Sequence, residues 1–199
     1  MSRHADALSK NTTASRNIFL VGLMGAGKTS VGRMLAKRIH REFYDADAEI
    51  EKATGVKIPV IFDIEGEAGF RAREEKMIEK LTGMQGIVLA TGGGAVLSAA
   101  NRARLKQNGR VIYLRAAPED LWRRTRRDRN RPLLQTANPL ARLRDLHSQR
   151  DPLYTEVADL VVDTGAQSVG TLTSQIQGLL ERLDQPDCHP ARGLEHGKH

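Results

Sequence analysis

The sequence predicts an α/β fold in which a parallel sheet is covered by helices on both faces. Short, continuous apolar runs alternate with longer amphipathic runs along the chain, and strands that are buried on both faces have this composition. A glycine-rich loop joins the first apolar run to a helical pattern, which is typical of phosphate-binding α/β proteins. The 199 residues leave room for one domain with a lid or short tails.

The predicted elements follow one another along residues 17–183. Strands are predicted where short apolar runs are bounded by polar residues or glycine, at 17–22, 43–45, 86–90, 110–114 and 159–162. Helices are predicted at 28–40, 47–54, 59–81, 98–107, 118–127, 139–150 and 168–183. Pro118 suits the first turn of its helix, because proline has no N–H to leave unbonded there.

Composition and charge exclude several classes of protein. Hydrophobic residues make up 40% of the chain, enough for a packed core, and no apolar run reaches the length of a membrane span. The single cysteine, Cys188, excludes an internal disulfide, and no cysteine–histidine cluster has zinc spacing. We therefore expect a cytoplasmic protein without a membrane partner. The polar segments 1–16 and 184–199 are predicted to be disordered tails around the body 17–183.

The strongest motif is a phosphate-binding loop. Residues 22–29 read GLMGAGKT, which matches G-x-x-x-x-G-K-[ST] between a predicted strand and a predicted helix. Backbone N–H groups of such a loop surround phosphate oxygens, Lys28 reaches the β- and γ-phosphates, and the Thr29 hydroxyl binds Mg²⁺. The chain is therefore predicted to bind a nucleoside triphosphate. The absence of a guanine-reading NKxD motif, and the short chain after the loop, favour a compact kinase over a GTPase or a motor.

Two polar motifs follow predicted strands, so they should lie beside the phosphate loop at the carboxyl edge of the sheet. Asp45 and Asp47 end the second strand and would face the same side, one orienting Mg²⁺ and the other accepting a hydrogen bond from a substrate hydroxyl. The alternative is a helix N-cap. The glycines 92–94 follow the third strand and would allow a ligand close to the backbone, or would form a simple loop.

The arginines are ambiguous from the residues alone. Arg71 and Arg73 lie on a predicted helix, where Glu74 or Glu75 could pair with them. Arg150 could bind a ligand or complement the dipole of its helix. Residues 123–131 (RRTRRDRNR) contain six arginines and one aspartate, a composition suited to a lid over a triphosphate or to an RNA-binding patch. The patch lacks interleaved aromatic residues for base stacking, which favours the lid.

Taken together, these residues resemble the shikimate kinase family over about residues 17–183. The motifs that carry the resemblance are GLMGAGKT at 22–29 with VGRMLAKR at 31–38, DAD at 45–47, IPVIFDIEGEAGFR at 58–71, ATGGGAV at 90–96, RPLL at 131–134 and RDPLY at 150–154. The resemblance implies a nucleoside-monophosphate-kinase-like fold with a five-stranded parallel sheet, a substrate-binding segment at about 47–81 and a mobile lid at about 123–136. The implied reaction transfers the γ-phosphoryl group of ATP to the 3-hydroxyl of shikimate, with Mg²⁺, in aromatic amino-acid biosynthesis.

The resemblance also implies a role for individual residues. Asp45 and Thr29 would serve Mg²⁺, Asp47 would bind the substrate hydroxyl and act as the base, and Arg131 would reach the phosphates from the lid. The shikimate carboxylate would be held by Arg71 and Arg150, with backbone contacts from Gly92, Gly93 and Gly94. The remaining nucleotide contacts would come from Gly25, Ala26, Gly27, Lys28, Ser30, Arg124 and Gln167.

Two other functions are compatible with a phosphate loop on this fold. Another small-molecule kinase, acting on gluconate or a nucleoside monophosphate, is disfavoured by the two predicted arginine clamps. A non-catalytic, nucleotide-dependent regulatory protein would have no reason to keep Lys28, Thr29, Asp45, Asp47 and Arg131 together. Residues 126–129 (RRDR) are more basic than the lid of the family requires. We expect a monomer, since no unexplained apolar surface stripe stands out, and no nucleic-acid partner, since the arginine-rich segment lacks aromatic residues for base stacking.

Overall fold

The sheet consists of five short parallel strands. The computed structural model describes residues 16–127 and 132–184. Its strands are β1 (Asn17–Val21), β2 (Glu42–Asp45), β3 (Ile87–Ala90), β4 (Gly109–Arg115) and β5 (Leu160–Asp163). They lie in the order β2-β3-β1-β4-β5, and Leu20 of β1 is in register with Ala90 of β3 and Ile112 of β4. Every residue of β1 and β3 is buried, so both faces of the sheet centre are covered, as predicted.

Helices connect these strands. In the described part of the chain they are α1 (Lys28–Arg38), α2 (Ala46–Thr54), α3 (Ile58–Thr82), α4 (Ala99–Asn108), α5 (Pro118–Thr125), α6 (Pro139–Val157) and α7 (Val169–Leu183), with 3₁₀ turns at Ala95–Leu97 and Pro132–Leu134. Helix α1 packs against α7, whereas α4 packs against α3 and β4. No helix within the described ranges combines the length and the apolarity that crossing a bilayer requires.

Helix α6 differs from the sequence prediction. It was predicted to end near residue 150, but it continues through Pro152 to Val157. Proline removes one backbone donor from a helix and crowds the preceding turn. The burial of Tyr154 and Val157 outweighs that cost, because a helix that ended earlier would remove both side chains from the core. Arg150 consequently lies inside the helix and not at its end.

The strand order places the functional motifs at one edge. Strands β1 and β3 are neighbours, yet the chain leaves them toward opposite sides of the sheet, to β2 and to β4. Ligands of open α/β folds bind at the carboxyl end of such a switch point. The phosphate loop follows β1 there, and the glycines 92–94 follow β3.

The described elements all fall within residues 17–183. The predicted tails 1–16 and 184–199 lie outside the described residues except for Arg16 and Asp184, as does Cys188. Residues 128–131 of the predicted lid also lie outside them.

Candidate active site

The phosphate loop is held by the conformations of its glycines and by Lys28. Gly22, Gly25 and Gly27 have φ angles of 140°, 81° and 94°, in a region that side chains with a Cβ rarely adopt. Gly27 precedes the first turn of α1, so the loop amides and the positive helix end point to the same place. The Lys28 ammonium is buried and donates to the carbonyls of Gly22 at 2.7 Å and Leu23 at 2.9 Å.

Asp45 and Thr29 bring two oxygen ligands together beside this loop. The Thr29 hydroxyl donates to Asp45 Oδ2 at 2.6 Å, while Asp45 Oδ1 accepts from the backbone N–H groups of Asp47 and Ala48. Asp45 therefore caps α2, as the alternative interpretation proposed, and it also faces the loop. An acidic side chain and a hydroxyl beside a phosphate site match the ligands that Mg²⁺ takes in nucleotide-binding proteins.

The predicted strand geometry of Asp47 is wrong. Strand β2 ends at Asp45, and Asp47 lies in the first turn of α2. The cap at Asp45 turns the backbone into the helix, so the period-two argument does not apply. Asp47 nevertheless lies at the same edge of the sheet, half-buried, where its Oδ1 is close to Gly92.

Two cavities adjoin at this edge. One has a volume of about 400 Å³ and is lined by the phosphate loop, Thr29 and Asp45. The other, of about 410 Å³, is lined by Arg71, Glu74, Arg150 and the three glycines, with apolar side chains at Ile58, Pro59, Phe62, Phe70 and Leu133. Met24, Asp47 and Gly93 line both cavities. Asp47 is thus the carboxylate at the junction between the cavity of the phosphate loop and a cavity lined by two arginines.

Arg71 is fixed by two carboxylates on its own helix. Its Nη1 donates to Glu74 at 2.7 Å and its Nη2 donates to Glu67 at 2.9 Å, while the guanidinium lies 5.2 Å from the ring centre of Phe70. Burial lowers the pKa of Arg71, but the two carboxylates outweigh burial and the pKa is raised. Of the two partners considered from the sequence, Glu74 pairs with Arg71, whereas Glu75 accepts from Ser98.

Glu74 is a buried carboxylate inside the second cavity. Only 1% of the residue is exposed, and burial raises its pKa although Arg71 and Arg150 act in the opposite direction. Its Oε2 accepts from Arg71, whereas its Oε1 is buried against Gly92 with no hydrogen-bond partner among the described residues. The carboxylate therefore partly neutralises the cavity and orients Arg71 within it.

Arg150 is buried against the backbone of the glycines 92–94, which follow β3. It is 3% exposed, its Nη1 donates to the Gly93 carbonyl at 3.0 Å, and the Tyr154 hydroxyl donates to the same oxygen. Burial lowers the pKa of Arg150. Because Arg150 lies well inside α6, the interpretation that it complements the helix dipole is wrong. Its Nε has no hydrogen-bond partner in the part of the chain that is described.

Side chains of the chain itself come close to the glycines 92–94, whereas the expected approach of a ligand to this backbone stays a prediction. A Cβ at Gly92 would overlap Glu74 and would lie 2.9 Å from Asp47 Oδ1, and a Cβ at Gly94 would overlap the Arg71 guanidinium. Gly93 faces the phosphate loop at Met24. These three glycines let two arginines and two carboxylates meet at one edge of the sheet.

Other predicted nucleotide contacts lie beyond the phosphate loop. Arg124 connects the Gly25 carbonyl, at 3.2 Å, with Thr164 and Gly165 after β5. Gln167 is exposed in the same segment, just before α7. Arg131, the predicted lid arginine, lies outside the described residues, as does Arg129; Arg126 and Arg127 are exposed after α5. The roles of these residues remain predictions.

Comparison with known proteins decides the family. The family model for shikimate kinase matches residues 24–181. The chain belongs to the shikimate kinase family. Among curated shikimate kinases, the chain is 66% identical to that of Thiobacillus denitrificans over 167 residues, which cover 84% of this chain and 91% of the relative. It is 59% identical to that of Cupriavidus pinatubonensis over 169 residues, covering 85% and 88% of the two chains.

Solved shikimate kinases have the same fold. The structure of the Acinetobacter baumannii enzyme in complex with shikimate has a TM-score of 0.85 and 50% sequence identity, covering 88% of this chain and 98% of that chain. The Bacteroides thetaiotaomicron enzyme has a TM-score of 0.78 and 30% identity, covering 84% and 99%. A gluconokinase from Sinorhizobium meliloti, at 18% identity and a TM-score of 0.57, shares the fold alone. The predicted fold class and the resemblance to shikimate kinases are confirmed.

Sequence reasoning missed part of this shikimate kinase site. Tyr154 lies in the RDPLY motif, but the sequence predicted no role for it; its position four residues after Arg150 places it on the same helix face. The aromatic wall of Phe62 and Phe70, with ring centres 4.9 Å apart, has no signal in the sequence beyond the spacing of two apolar residues on a helix.

Proposed function

We propose that this chain transfers the γ-phosphoryl group of ATP to the 3-hydroxyl of shikimate, a step of aromatic amino-acid biosynthesis. The observation that carries the proposal is the junction at Asp47. This carboxylate lines both the phosphate-loop cavity and the cavity with Arg71 and Arg150. A phosphoryl donor in the first and an acceptor in the second would meet beside it, and phosphoryl transfer depends chiefly on such positioning.

The nucleotide end of the site would be held by the phosphate loop. The amides of residues 25–30 surround the β- and γ-phosphates, and Lys28, which already lies under the loop, supplies a positive charge to them. Thr29 and Asp45 fit Mg²⁺, because a hydroxyl and a carboxylate lie 2.6 Å apart at the loop. When bound, Mg²⁺ would neutralise charge on the phosphates.

The acceptor end suits a carboxylate with hydroxyl groups. Arg71 and Arg150 both line the second cavity, and a guanidinium binds a carboxylate through two parallel hydrogen bonds. A substrate carboxylate would also supply an acceptor for the Nε atoms of both arginines, which lack one in the described part of the chain. The ring of shikimate would contact the apolar wall, and its 3-hydroxyl would donate to Asp47, which acts as the base.

Closure over the substrates would exclude water, which otherwise accepts the phosphoryl group. Leu133 already lines the acceptor cavity from the predicted lid segment. We propose that Arg131 reaches the phosphates from this segment and that Arg124 and Gln167 lie beside the adenine. Arg124 fits this role because it connects the phosphate loop with the segment after β5.

The experiment is a coupled assay of ATP consumption with shikimate, gluconate or nucleoside monophosphates as the acceptor. We expect turnover with shikimate alone, requiring Mg²⁺, and phosphorylation at the 3-hydroxyl identified by NMR of the product. Lys28→Ala should abolish turnover while the circular dichroism spectrum is unchanged. Turnover with gluconate or a nucleoside monophosphate would favour another kinase. ATP binding without turnover on any acceptor would favour a regulatory protein.

We also propose that the protein acts as a cytoplasmic monomer without a nucleic-acid or membrane partner. The support is compositional: the excess positive charge is concentrated in residues 123–131, which include six arginines. Light scattering coupled to gel filtration tests the monomer, and a dimer mass at micromolar concentration would contradict it.

A further inference from the structure

Helix α3 is interrupted at Gly66. This residue has φ 69° and ψ −178°, a conformation that is essentially restricted to glycine, whereas the residues on either side are helical. The break divides α3 into a short first segment, 58–65, and a long second segment, 67–82. The direction of the first segment relative to the second is therefore set at one residue, and contacts across the break decide it.

An ion pair spans this break. The Nε and Nη2 atoms of Arg73 donate to the two carboxylate oxygens of Glu65 at 2.8 and 2.6 Å, a two-pronged geometry. In an uninterrupted helix, residues eight positions apart are about 12 Å apart along the axis. Here the chain folds back so far that a Cβ at Gly69 would overlap the Cβ of Glu65. Gly66 permits the turn and Gly69 leaves room for it.

The first segment forms a wall of the acceptor cavity. Ile58, Pro59 and Phe62 line the cavity from this segment, and Phe62 contacts Phe70 of the second segment with ring centres 4.9 Å apart. Glu65 and Arg73 do not line the cavity. A change in the direction of the first segment would move the apolar wall relative to Arg71, which belongs to the second segment.

We propose that Glu65 and Arg73 are positioning residues for the acceptor: their ion pair, named here the α3 latch, fixes the first segment over the cavity. The identity of the acceptor rests on the proposed function. The hydrogen bond from Arg73 lowers the pKa of Glu65, so the latch is ionised at neutral pH. The side chains of Arg73 and Glu65 are 44% and 34% exposed, so the latch modulates the position of the wall and does not hold the fold together.

The test compares five proteins: the wild type, Glu65→Gln, Arg73→Met, the charge-swapped double variant Glu65→Arg/Arg73→Glu, and the control Glu79→Gln. Glu79 lies in the second segment of α3 and pairs with Arg104 of α4 at 3.2 Å, so its ion pair does not span the break. Each protein is measured for the KM of shikimate, the KM of ATP and kcat. Hydrogen–deuterium exchange of the amides of residues 58–65 is followed on the same samples without substrate.

We expect each single latch variant to raise the shikimate KM by about three- to fivefold, the range of an exposed pair with good geometry, at unchanged ATP KM and kcat. Exchange of the amides of 58–65 should become faster in both. The charge-swapped variant should return toward the wild type in both measurements, and Glu79→Gln should match the wild type. If the swapped variant does not fold, agreement between the two single variants carries the test.

Three results separate the possible failures. Unchanged exchange of 58–65 in both single variants would overturn the latch. Faster exchange with an unchanged shikimate KM would overturn the positioning role. A wild type that does not phosphorylate shikimate would refute the proposed function; the exchange measurement would still decide whether the latch fixes the segment.

Discussion

Replacing Arg150 by methionine should separate binding from stability. Methionine keeps most of the length of the side chain and removes the charge. The folded protein buries this guanidinium with one hydrogen bond to Gly93, at 3.0 Å, and without a described partner for Nε. An unsatisfied buried donor costs about 1–3 kcal/mol, and the lost hydrogen bond contributes about 0.5–1.5 kcal/mol. The free energy of unfolding should therefore stay constant or rise by about 1 kcal/mol.

Binding of the acceptor should change far more. A charge-assisted hydrogen bond to a carboxylate contributes about 1.5–3 kcal/mol. Since 1.4 kcal/mol is tenfold in an equilibrium constant, shikimate affinity should fall by about 10- to 150-fold, with ATP affinity unchanged. Titration calorimetry measures both affinities, and thermal unfolding measures stability. A gain of 1 kcal/mol should raise the melting temperature by about 2–4 °C.

The control for this prediction is Arg102→Met. Arg102 donates to the Val96 carbonyl at 2.8 Å and pairs with Glu156, but it does not line the acceptor cavity. The Arg102→Met variant should be slightly less stable than the wild type and should bind shikimate with the same affinity. The reasoning on Arg150 is refuted if Arg150→Met lowers the melting temperature by more than about 4 °C while shikimate affinity stays the same. Arg150 would then be a structural residue.

Three further predictions concern the acceptor cavity and the predicted lid. Gly94→Ala should raise the shikimate KM about tenfold without loss of folding, because the new methyl group displaces only the flexible end of Arg71; an unchanged KM would contradict this. Burial raises the pKa of Glu74 above its ordinary value of 4.5, so between the unfolded and the folded pKa the folded wild type holds a proton that the unfolded chain releases. The free energy of unfolding of the wild type should therefore fall relative to that of Glu74→Gln as the pH rises from about 4.5. Urea unfolding measures both free energies, and a difference between them that does not change with pH would refute this prediction. Arg131→Ala should cut turnover severely, whereas a triple variant that neutralises Arg126, Arg127 and Arg129 should leave turnover nearly intact. RNA binding is measured by salt titration of the wild type and the triple variant. Submicromolar binding that the triple variant loses would overturn the lid interpretation.

Local patterns predicted the fold and the nucleotide end of the site. The spacing of the phosphate loop fixes Lys28 and Thr29 relative to the strand and helix on either side. Asp45 could be placed opposite Thr29 because parallel strands end at a common edge. In each case the residues are close in sequence or lie at the ends of neighbouring strands of one sheet. Periodicity and motifs contain this kind of information.

The acceptor end depends on contacts that local patterns do not contain. Arg150 contacts Gly93 across 57 residues of sequence, and the Tyr154 hydroxyl bonds to the same carbonyl, so this contact forms only in the folded chain. The end of α6 was wrongly predicted at residue 150 for the same reason. Pro152 is a local signal for the end of a helix, whereas the packing in the core that outweighs it depends on the folded chain. The break at Gly66 is similar: glycine permits it, but the ion pair between Glu65 and Arg73 that spans it joins residues eight positions apart and forms only in the folded chain.

The two ends of the site therefore differ in what stabilises them. The phosphate loop is made from backbone amides and glycine conformations, so its geometry is present in the folded chain without further partners. The acceptor cavity contains the buried Arg150, the half-buried Arg71 and the buried Glu74, and each has one buried polar atom without a hydrogen-bond partner among the described residues. Burying such groups costs stability unless a partner completes them. A carboxylate bound between Arg71 and Arg150 would supply the acceptor that the Nε atom of each lacks among the described residues, so the cost to the folded chain would become affinity for an acidic acceptor.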